Sequence, residues 1–280
     1  MTVSALRTEG LSFVYPEGTR ALEGVDLEIL QGERVAIIGQ NGSGKSTLVR
    51  HFNGLLRPTE GSVAVAGTPV GTRHVAELAR EVGIAFQNPD RQIFSGRVAR
   101  EVEFGPRNIG ISGQELAARV NDALAAVGLE GRAEANPYDL GFSQRKLLAL
   151  ASILAMRPPI VVLDEPTTGQ DANGIGRVRS IVEMLSSDGR TVVAISHDMR
   201  FVAETFARII VMRAGRVVLD GSPREVFAQE QWPILASTYL EPPLAARIGA
   251  RMGAGSTPTE AMLVERLLEQ GGAKGPGRAG

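Results

Sequence analysis

A glycine-rich loop constrains the fold of this chain more than any other feature of its sequence. The apolar run VAII at residues 35–38 leads into the loop GQNGSGKST at residues 39–47. The loop matches the pattern Gly-x-x-x-x-Gly-Lys-Ser, in which glycines allow backbone N–H groups to turn inward toward phosphate oxygens. A helix that begins at the end of such a loop adds partial positive charge. The sequence therefore predicts a phosphate-binding loop between a buried strand and a helix.

The side chains of this loop indicate a site for ATP and Mg²⁺. Lys45 is expected to reach the β- and γ-phosphates, Ser46 to bind Mg²⁺ and Thr47 to help bind phosphate. A glycine-rich turn without chemical function is the alternative, and the strand and helix on either side argue against it. The loop residues expected to contact ATP are Gly39, Asn41, Gly42, Ser43, Gly44, Lys45, Ser46 and Thr47.

Two carboxylates follow a second apolar run further along the chain. Asp164 and Glu165 come directly after residues 160–163, written IVVL. Such a pair by itself is more often a helix cap or a surface feature. Downstream of a phosphate loop, the pair predicts that Asp164 organises Mg²⁺ and that Glu165 polarises the attacking water.

The strand patterns are of two kinds, and together they predict the fold class. Residues 11–29 contain a turn and an alternation of apolar and polar residues, which is typical of an antiparallel sheet. Continuous apolar runs are typical of parallel strands that are covered on both faces. These runs lie at residues 35–38, 160–163 and 192–195, and helical patterns lie at residues 115–127 and 147–155. We predict an α/β fold with a parallel core sheet, helices and an antiparallel β layer.

The end of the chain changes in character after a predicted closing hairpin at residues 209–219. Helical stretches follow, interrupted by Pro242 and Pro243, and residues 259–268 have the apolar spacing of a helix. A small helical extension is therefore predicted for residues 229–270. The glycine-rich residues 271–280 are predicted to be a disordered tail.

The composition argues against several other classes of protein. The formal net charge is −1, so no general positive field attracts nucleic acid. The chain has no cysteine, which excludes thiolate metal sites and fits a reducing compartment. His51, His74 and His197 are too scattered to indicate a metal cluster. We expect neither a signal peptide nor a membrane span, because the longest mostly apolar run, residues 147–156, is too short to cross a bilayer.

Taken together, the motifs resemble those of the ATP-binding subunits of ABC transporters, over roughly residues 4–225. The resemblance implies that Tyr15 stacks on adenine and that Gln87 senses the γ-phosphate through Mg²⁺ and water. It also implies that Asp171 lies at a dimer seam and that His197 contacts the γ-phosphate. Tyr15, Gln87 and His197 each have a plainer interpretation, as a strand aromatic, a polar loop residue and a structural histidine. Their shared order in one chain favours the functional interpretation.

The same resemblance implies a division of the chain and a set of roles. The cassette is expected at residues 1–228, with a helical subdomain at about residues 88–158. The expected catalytic residues are Glu165, His197, Lys45 and Gln87, and the expected Mg²⁺ ligands are Ser46, Gln87 and Asp164.

A narrower resemblance rests on QNPDRQIF at residues 87–94 and VEFGP at residues 102–106. These segments are similar to the ATPases of energy-coupling factor importers and of related cobalt and nickel importers. The similarity implies a membrane coupling protein, a substrate-capture membrane protein and a second ATPase, with a vitamin or transition-metal ion as cargo. It also implies a peripheral position at the cytoplasmic face of the cell membrane. Coupling helices are expected to dock on residues 88–94 and 98–105, which could otherwise be a solvated loop, and the C-terminal extension is expected to help hold two ATPases together.

One motif departs from the family. Its signature, Leu-Ser-Gly-Gly-Gln, is presented to the partner's γ-phosphate, but the aligned residues here are Leu140, Gly141, Phe142, Ser143 and Gln144. Losing the serine hydroxyl removes a hydrogen bond to a charged phosphate, worth about 1.5–3 kcal/mol. Two explanations stay open: Ser143 caps the same helix from a shifted position, or the chain works in a heterodimer whose other ATPase supplies an intact signature. We favour the heterodimer, and a homodimer is possible.

Two other functions are alternatives to transport. A soluble ABC ATPase acting on nucleic acid or the ribosome usually has two cassettes, a coiled-coil insert or a basic extension, and none of these is visible in the sequence. A non-hydrolysing regulatory cassette is favoured by the altered signature alone. The sequence therefore predicts a Mg²⁺-dependent ATPase coupled to transmembrane transport, without a nucleic-acid partner.

Overall fold

Two β-sheets, one antiparallel and one mostly parallel, form the framework of the chain in the computed structural model, which describes residues 3–272. The strands are β1 (Ser4–Val14), β2 (Arg20–Leu30), β3 (Arg34–Ile38), β4 (Glu60–Val65), β5 (Thr68–Pro69), β6 (Val82–Ala85), β7 (Ile160–Asp164), β8 (Thr191–Ile195), β9 (Arg208–Arg213) and β10 (Arg216–Gly221). The helices are α1 (Lys45–Phe52), α2 (Val75–Leu78), α3 (Val98–Asn108), α4 (Gly113–Val127), α5 (Phe142–Met156), α6 (Ala172–Ser187), α7 (Met199–Thr205), α8 (Pro223–Val226), α9 (Trp232–Ala236), α10 (Leu244–Arg251) and α11 (Glu260–Gly272).

The larger sheet has the strand order β10-β9-β3-β8-β7-β6. Strands β9, β3, β8, β7 and β6 run parallel, and β10 pairs antiparallel with β9. Neighbouring residues of β3 pack on opposite sides of this sheet: Val35 and Ile37 join one apolar cluster, and Ala36 and Ile38 join the other. Because both faces are covered, the continuous apolar runs of the sequence are explained, and the predicted parallel core is confirmed.

The smaller sheet is antiparallel, with the order β2-β1-β4-β5. Alternate residues of β2, including Leu27 and Ile29, are buried in one cluster with Leu48 and Phe52 of α1. The antiparallel sheet therefore packs against the helix that follows the glycine-rich loop, and the predicted antiparallel layer is confirmed.

A helical layer covers the other face of the parallel sheet. Helices α3, α4 and α5 pack together in the cluster that contains Ala36 and Ile38. Helix α4 starts two residues before the predicted helix, and α5 starts at Phe142 rather than at residue 147. The first turn of α5 was missed because its residues 143–146 are polar and show no apolar spacing, although Gly141 ends the preceding extended segment.

The C-terminal segment packs partly on the cassette. Leu235 and Ala246 belong to the same apolar cluster as the helical layer, whereas Ala245, Ala254 and Leu263 form a small separate cluster. The predicted hairpin at residues 209–219 is confirmed by β9 and β10. Helix α11 continues to Gly272, so the prediction that a disordered tail begins at residue 271 is wrong for its first two residues. The rest of that tail, residues 273–280, lies outside the described residues.

Candidate nucleotide site

The glycine-rich loop joins β3 to α1 in the place that the sequence predicts. Gly44 has φ +102° and precedes the first residue of α1, Lys45. A Cβ atom at Gly44 would lie 2.6 Å from the carbonyl oxygen of Ala21 in β2. Only glycine fits this backbone, because the left-handed conformation and the antiparallel sheet both exclude a side chain.

Lys45 lies inside the loop. Its Nζ donates hydrogen bonds to the carbonyl oxygens of Gly39, at 2.7 Å, and Gln40, at 2.8 Å. Burial lowers the pKa of the Lys45 ammonium, and the nearby carboxylates of Glu165 and Asp164 oppose that shift. The ammonium is therefore held beside both carboxylates at the centre of the site.

A cleft of about 140 Å³ brings the loop and the two carboxylates together. It lies at the carboxyl ends of β3, β7 and β8, where open α/β sheets bind ligands. The residues that line it are Asn41, Gly42, Ser43, Gly44, Lys45, Ser46, Thr47, Gln87, Asp164, Glu165 and Ile195. Most of the residues predicted from separate parts of the sequence thus surround one space.

The oxygen ligands in this cleft fit a magnesium ion. Ser46 Oγ donates to Asp164 Oδ1 at 3.5 Å, and Gln87 lines the same cleft. Burial and the neighbouring Glu165 raise the pKa of Asp164, and the Ser46 hydrogen bond and the charges of Arg50 and Lys45 oppose that effect. Hydroxyl, carboxylate and amide oxygens are the hard ligands that Mg²⁺ prefers, and a cation there would relieve the repulsion between the two carboxylates.

Glu165 and His197 meet at the edge of the cleft. His197 Nδ1 lies 2.7 Å from Glu165 Oε2, although 32 residues separate them in the sequence. Glu165 is 8% exposed. The His197 side chain, by contrast, is 65% exposed. The carboxylate is thus fixed by a partner that still faces solvent.

Tyr15 lies against α1, the helix that follows the phosphate loop. Its hydroxyl is 3.0 Å from Thr47 Oγ1, and its ring meets the Phe13 ring edge to face with centroids 4.8 Å apart. The half-buried Tyr15 side chain is therefore anchored next to the phosphate loop, and its role in stacking on adenine stays a prediction.

The signature residues form the start of α5, and they correct one expectation. Gly141 is the N-cap, and its N–H donates to Gln144 Oε1 at 3.3 Å. Ser143 is the second residue of the helix, and its hydroxyl donates to Gln170 Oε1 at 2.6 Å. The explanation that Ser143 caps this helix is therefore wrong, because a residue inside the first turn cannot occupy the cap position. Phe142 is 40% exposed.

Asp171 is the N-cap of α6. Its Oδ1 accepts a hydrogen bond from the Gly174 N–H at 2.7 Å, and the residue is exposed. The structure therefore gives Asp171 a local stabilising role, and its position at a dimer seam stays a prediction.

Sequence reasoning missed Lys146, which is buried beside the cleft. Its Nζ donates to the carbonyl oxygens of Glu165 and Thr168, the latter at 3.0 Å. Burial lowers the pKa of the Lys146 ammonium to about 8. A signal was present in the sequence, because lysine occurs only at residues 45, 146 and 274.

A second cleft, of about 640 Å³, adjoins the first and shares Ser46, Gln87 and Asp164 with it. Its other lining residues are Arg50, Leu55, Leu56, Phe86, Asn88 and Arg91. Nearby, the exposed rings of Phe94 and Phe104 meet edge to face at 4.6 Å. Asn88 and Arg91 belong to the first segment on which coupling helices are predicted to dock, whereas the second segment, residues 98–105, lies in α3 rather than in a loop.

Comparisons with known proteins identify the family of this chain. A sequence profile described as ABC transporter matches residues 22–168. An energy-coupling factor transporter ATP-binding protein, EcfA, of Methanocaldococcus jannaschii is 42% identical over 225 residues, which are 80% of this chain and 81% of that protein. An ABC transporter ATP-binding protein of Caldanaerobacter subterraneus is 43% identical over 89% of this chain, and the match spans 43% of that longer protein.

A solved structure confirms the fold class. It is cbiO1 from Clostridium perfringens, described as part of the ABC transporter complex cbiONQ, with a TM-score of 0.75 and 36% identity. The similarity covers 90% of this chain and 99% of that one. Within residues 3–272, no helix has both the length and the apolar character needed to span a membrane. On the profile match, the identities and the shared fold, this chain belongs to the ABC transporter family, as an ATP-binding cassette.

Proposed function

We propose that this chain binds and hydrolyses Mg²⁺-ATP to power an importer of the energy-coupling factor type. The observation that carries the proposal is the convergence of Lys45, Ser46, Asp164 and Glu165 on one cleft. The similarity to EcfA and cbiO1 supports the importer class. The cassette is residues 1–228 and the extension residues 229–270, and the cargo is a vitamin or transition-metal ion held by membrane subunits.

In this proposal Glu165 is the general base. His197 fixes the orientation of the carboxylate through the 2.7 Å contact, so that the carboxylate can accept a proton from an attacking water. Lys45 binds the β- and γ-phosphates, the exposed His197 contacts the γ-phosphate, and Tyr15 stacks on adenine.

Ser46, Asp164 and Gln87 are the proposed ligands of the metal. Mg²⁺, when bound, neutralises charge on the β- and γ-phosphates. Without a cation, the buried Asp164 and Glu165 repel each other, and this repulsion contributes to the raised pKa of Asp164. Nucleotide binding to this chain is therefore expected to depend on a divalent cation.

The proposed partners are a second ATPase and two membrane proteins. Gly141 offers no hydroxyl to a partner's nucleotide, and the Ser143 hydroxyl is bonded to Gln170 within the chain. These contacts support a heterodimer in which the other ATPase supplies an intact signature to the phosphate loop of this chain. The adjoining cleft, with the exposed Phe94 and Phe104, is the proposed docking surface for a coupling helix at the cytoplasmic face of the membrane.

The first experiment tests catalysis with Glu165→Gln. The variant is expected to bind ATP with unchanged affinity and to lose turnover by about 10²–10⁴-fold, because the amide cannot accept the proton. Glu183→Gln, an exposed carboxylate on α6, is the matched control and keeps the wild-type rate. All rates are measured in the complex with the partner ATPase, because the proposed site needs the partner's signature. Equal rates for Glu165→Gln and the wild type would refute the assigned base, and a wild-type complex that binds ATP without turnover would favour a non-hydrolysing cassette.

The second experiment tests the partners. The chain is isolated from its native membranes in mild detergent, and every protein that accompanies it is identified by mass spectrometry. The proposal expects a second ATPase with an intact signature, a membrane coupling protein and a capture protein. Recovery of one ATPase with membrane proteins would replace the heterodimer with a homodimer, and recovery of ribosomes or nucleic acid would end the transport proposal.

A further inference from the structure

Glu165 has a backbone conformation that needs support. Its φ is +53°, in the left-handed region that residues other than glycine rarely adopt. Such a conformation persists only where surrounding contacts hold it. Its N–H donates to the Ile195 carbonyl at 2.9 Å, and its own carbonyl accepts from the Thr168 N–H at 3.3 Å.

The Lys146 ammonium joins the two ends of this turn. Its side chain reaches from α5 and donates both to the Glu165 carbonyl and to the Thr168 carbonyl. Lys146 is 7% exposed, and its Nζ lies 5.9 Å from the centroid of the Phe142 ring, which is within range of a cation–π interaction. Hydrogen bonds from a buried charged donor are stronger than those between neutral groups.

The altered signature residues add two further contacts between the same elements. Ser143 Oγ donates to Gln170 Oε1 at 2.6 Å, and Gln170 Nε2 donates back to the Ser143 carbonyl at 3.2 Å. The Phe142 ring covers Gly169, where a Cβ atom would lie 2.7 Å from two ring carbons. The start of α5 is thus joined to residues 165–170 at three places.

The contacts of Phe142, Ser143 and Lys146 with residues 165–170 are here called the clasp. We propose that Lys146 is a positioning residue for Glu165 and acts through this clasp. The inference rests on the proposed ATPase function. The departures from the family signature at Phe142 and Ser143 then have a use within the chain, since both side chains contact the loop that carries the base. Without the ammonium, the turn at residues 165–168 relaxes and the Glu165 carboxylate moves away from His197.

A measurement that does not depend on hydrolysis tests the clasp directly. The chain has three histidines, so their ring proton resonances can be followed by NMR. In Lys146→Met the His197 resonances are expected to shift, while those of His51 and His74 keep their wild-type positions. Lys146→Gln, whose amide has two N–H donors for the two carbonyls, is expected to keep all three unchanged. An unmoved His197 in Lys146→Met overturns the proposal, and so does a shift of all three histidines, which would indicate a general structural role.

Single-turnover hydrolysis tests the consequence for catalysis. Lys146→Met is expected to lower the rate about 10- to 100-fold, and Lys146→Gln to keep most of the wild-type rate. In steady-state assays the KM for ATP of Lys146→Met should change less than about twofold. In a Glu165→Gln background, Lys146→Met should cause no further loss, because it acts through the missing carboxylate. Equal fold losses in both backgrounds, or a wild-type rate in Lys146→Met, overturn the proposal. These rates are measured in the complex with the partner ATPase, and a wild-type complex without turnover refutes the ATPase function, whereas the His197 resonances still decide whether Lys146 positions Glu165.

Discussion

Replacing Gly44 with alanine tests whether close packing, as well as backbone freedom, requires glycine in the phosphate loop. Gly44 and Gly42 both have left-handed backbones, with φ +102° and +80°. An added Cβ would lie 2.6 Å from the Ala21 carbonyl oxygen and 2.9 Å from Leu22 Cδ2 at Gly44, whereas at Gly42 it would meet nothing within 4 Å. Gly42→Ala is therefore a matched control that shares the backbone conformation without the steric conflict.

The two variants should differ by the packing cost alone. A left-handed backbone costs an alanine about 1–2 kcal/mol of unfolding free energy at either position. Overpacking against β2 adds about 1–3 kcal/mol at Gly44, since the Ala21 carbonyl belongs to the backbone and has little room to move. Gly44→Ala is therefore expected to melt about 2–12 °C below Gly42→Ala.

Thermal unfolding without nucleotide, followed by circular dichroism, measures this difference. Omitting nucleotide removes the stabilisation that a bound ligand would add to each variant unequally. Equal melting temperatures, or a lower value for Gly42→Ala, would show that packing against β2 does not determine the loop.

Two further predictions concern buried charges. Glu101 Oε2 accepts hydrogen bonds from the N–H groups of Phe94, at 3.1 Å, and Ser95, at 2.8 Å. In urea unfolding, Glu101→Ala should therefore lower the free energy of unfolding by about 1.5–3 kcal/mol, and the control Glu103→Ala, at a half-buried residue, by less than about 1 kcal/mol. Similar losses for the two variants would contradict this prediction. Because burial lowers the pKa of Lys146 from 10.5 to about 8, the unfolded chain binds that proton more tightly, and stability should rise with pH between these values. From pH 7.5 to 9.5 the wild type should gain about 2 kcal/mol relative to Lys146→Met, and parallel pH profiles would refute the shift.

The phosphate loop was predictable from the sequence because its determinants are local. The run at residues 35–38, the glycines and Lys45 are contiguous, so one segment contains the strand, the turn and the start of the helix. Asp164 and Glu165 were predictable for a related reason, since the carboxyl end of a parallel strand lies at the same edge as the loop. The convergence of these residues on one cleft follows from the topology of the sheet.

Contacts between distant residues were not predictable in this way. A helix cap was one of two explanations for Ser143, but the partner of its hydroxyl, Gln170, lies 27 residues away, and no periodicity in the sequence indicates that pairing. The bond from Lys146 to the Glu165 carbonyl spans 19 residues, and the contact between Glu165 and His197 spans 32. Each depends on how α5, β7 and β8 pack side by side.

The sequence by itself thus determined the class of fold and most of the residues that line the cleft, through apolar runs and through residue types at fixed short spacings. The tertiary structure alone decided how Glu165 is held, because its left-handed backbone is kept by groups from β8 and α5. Short-range patterns report what a segment prefers, whereas a strained residue is maintained only by neighbours that folding brings from elsewhere in the chain.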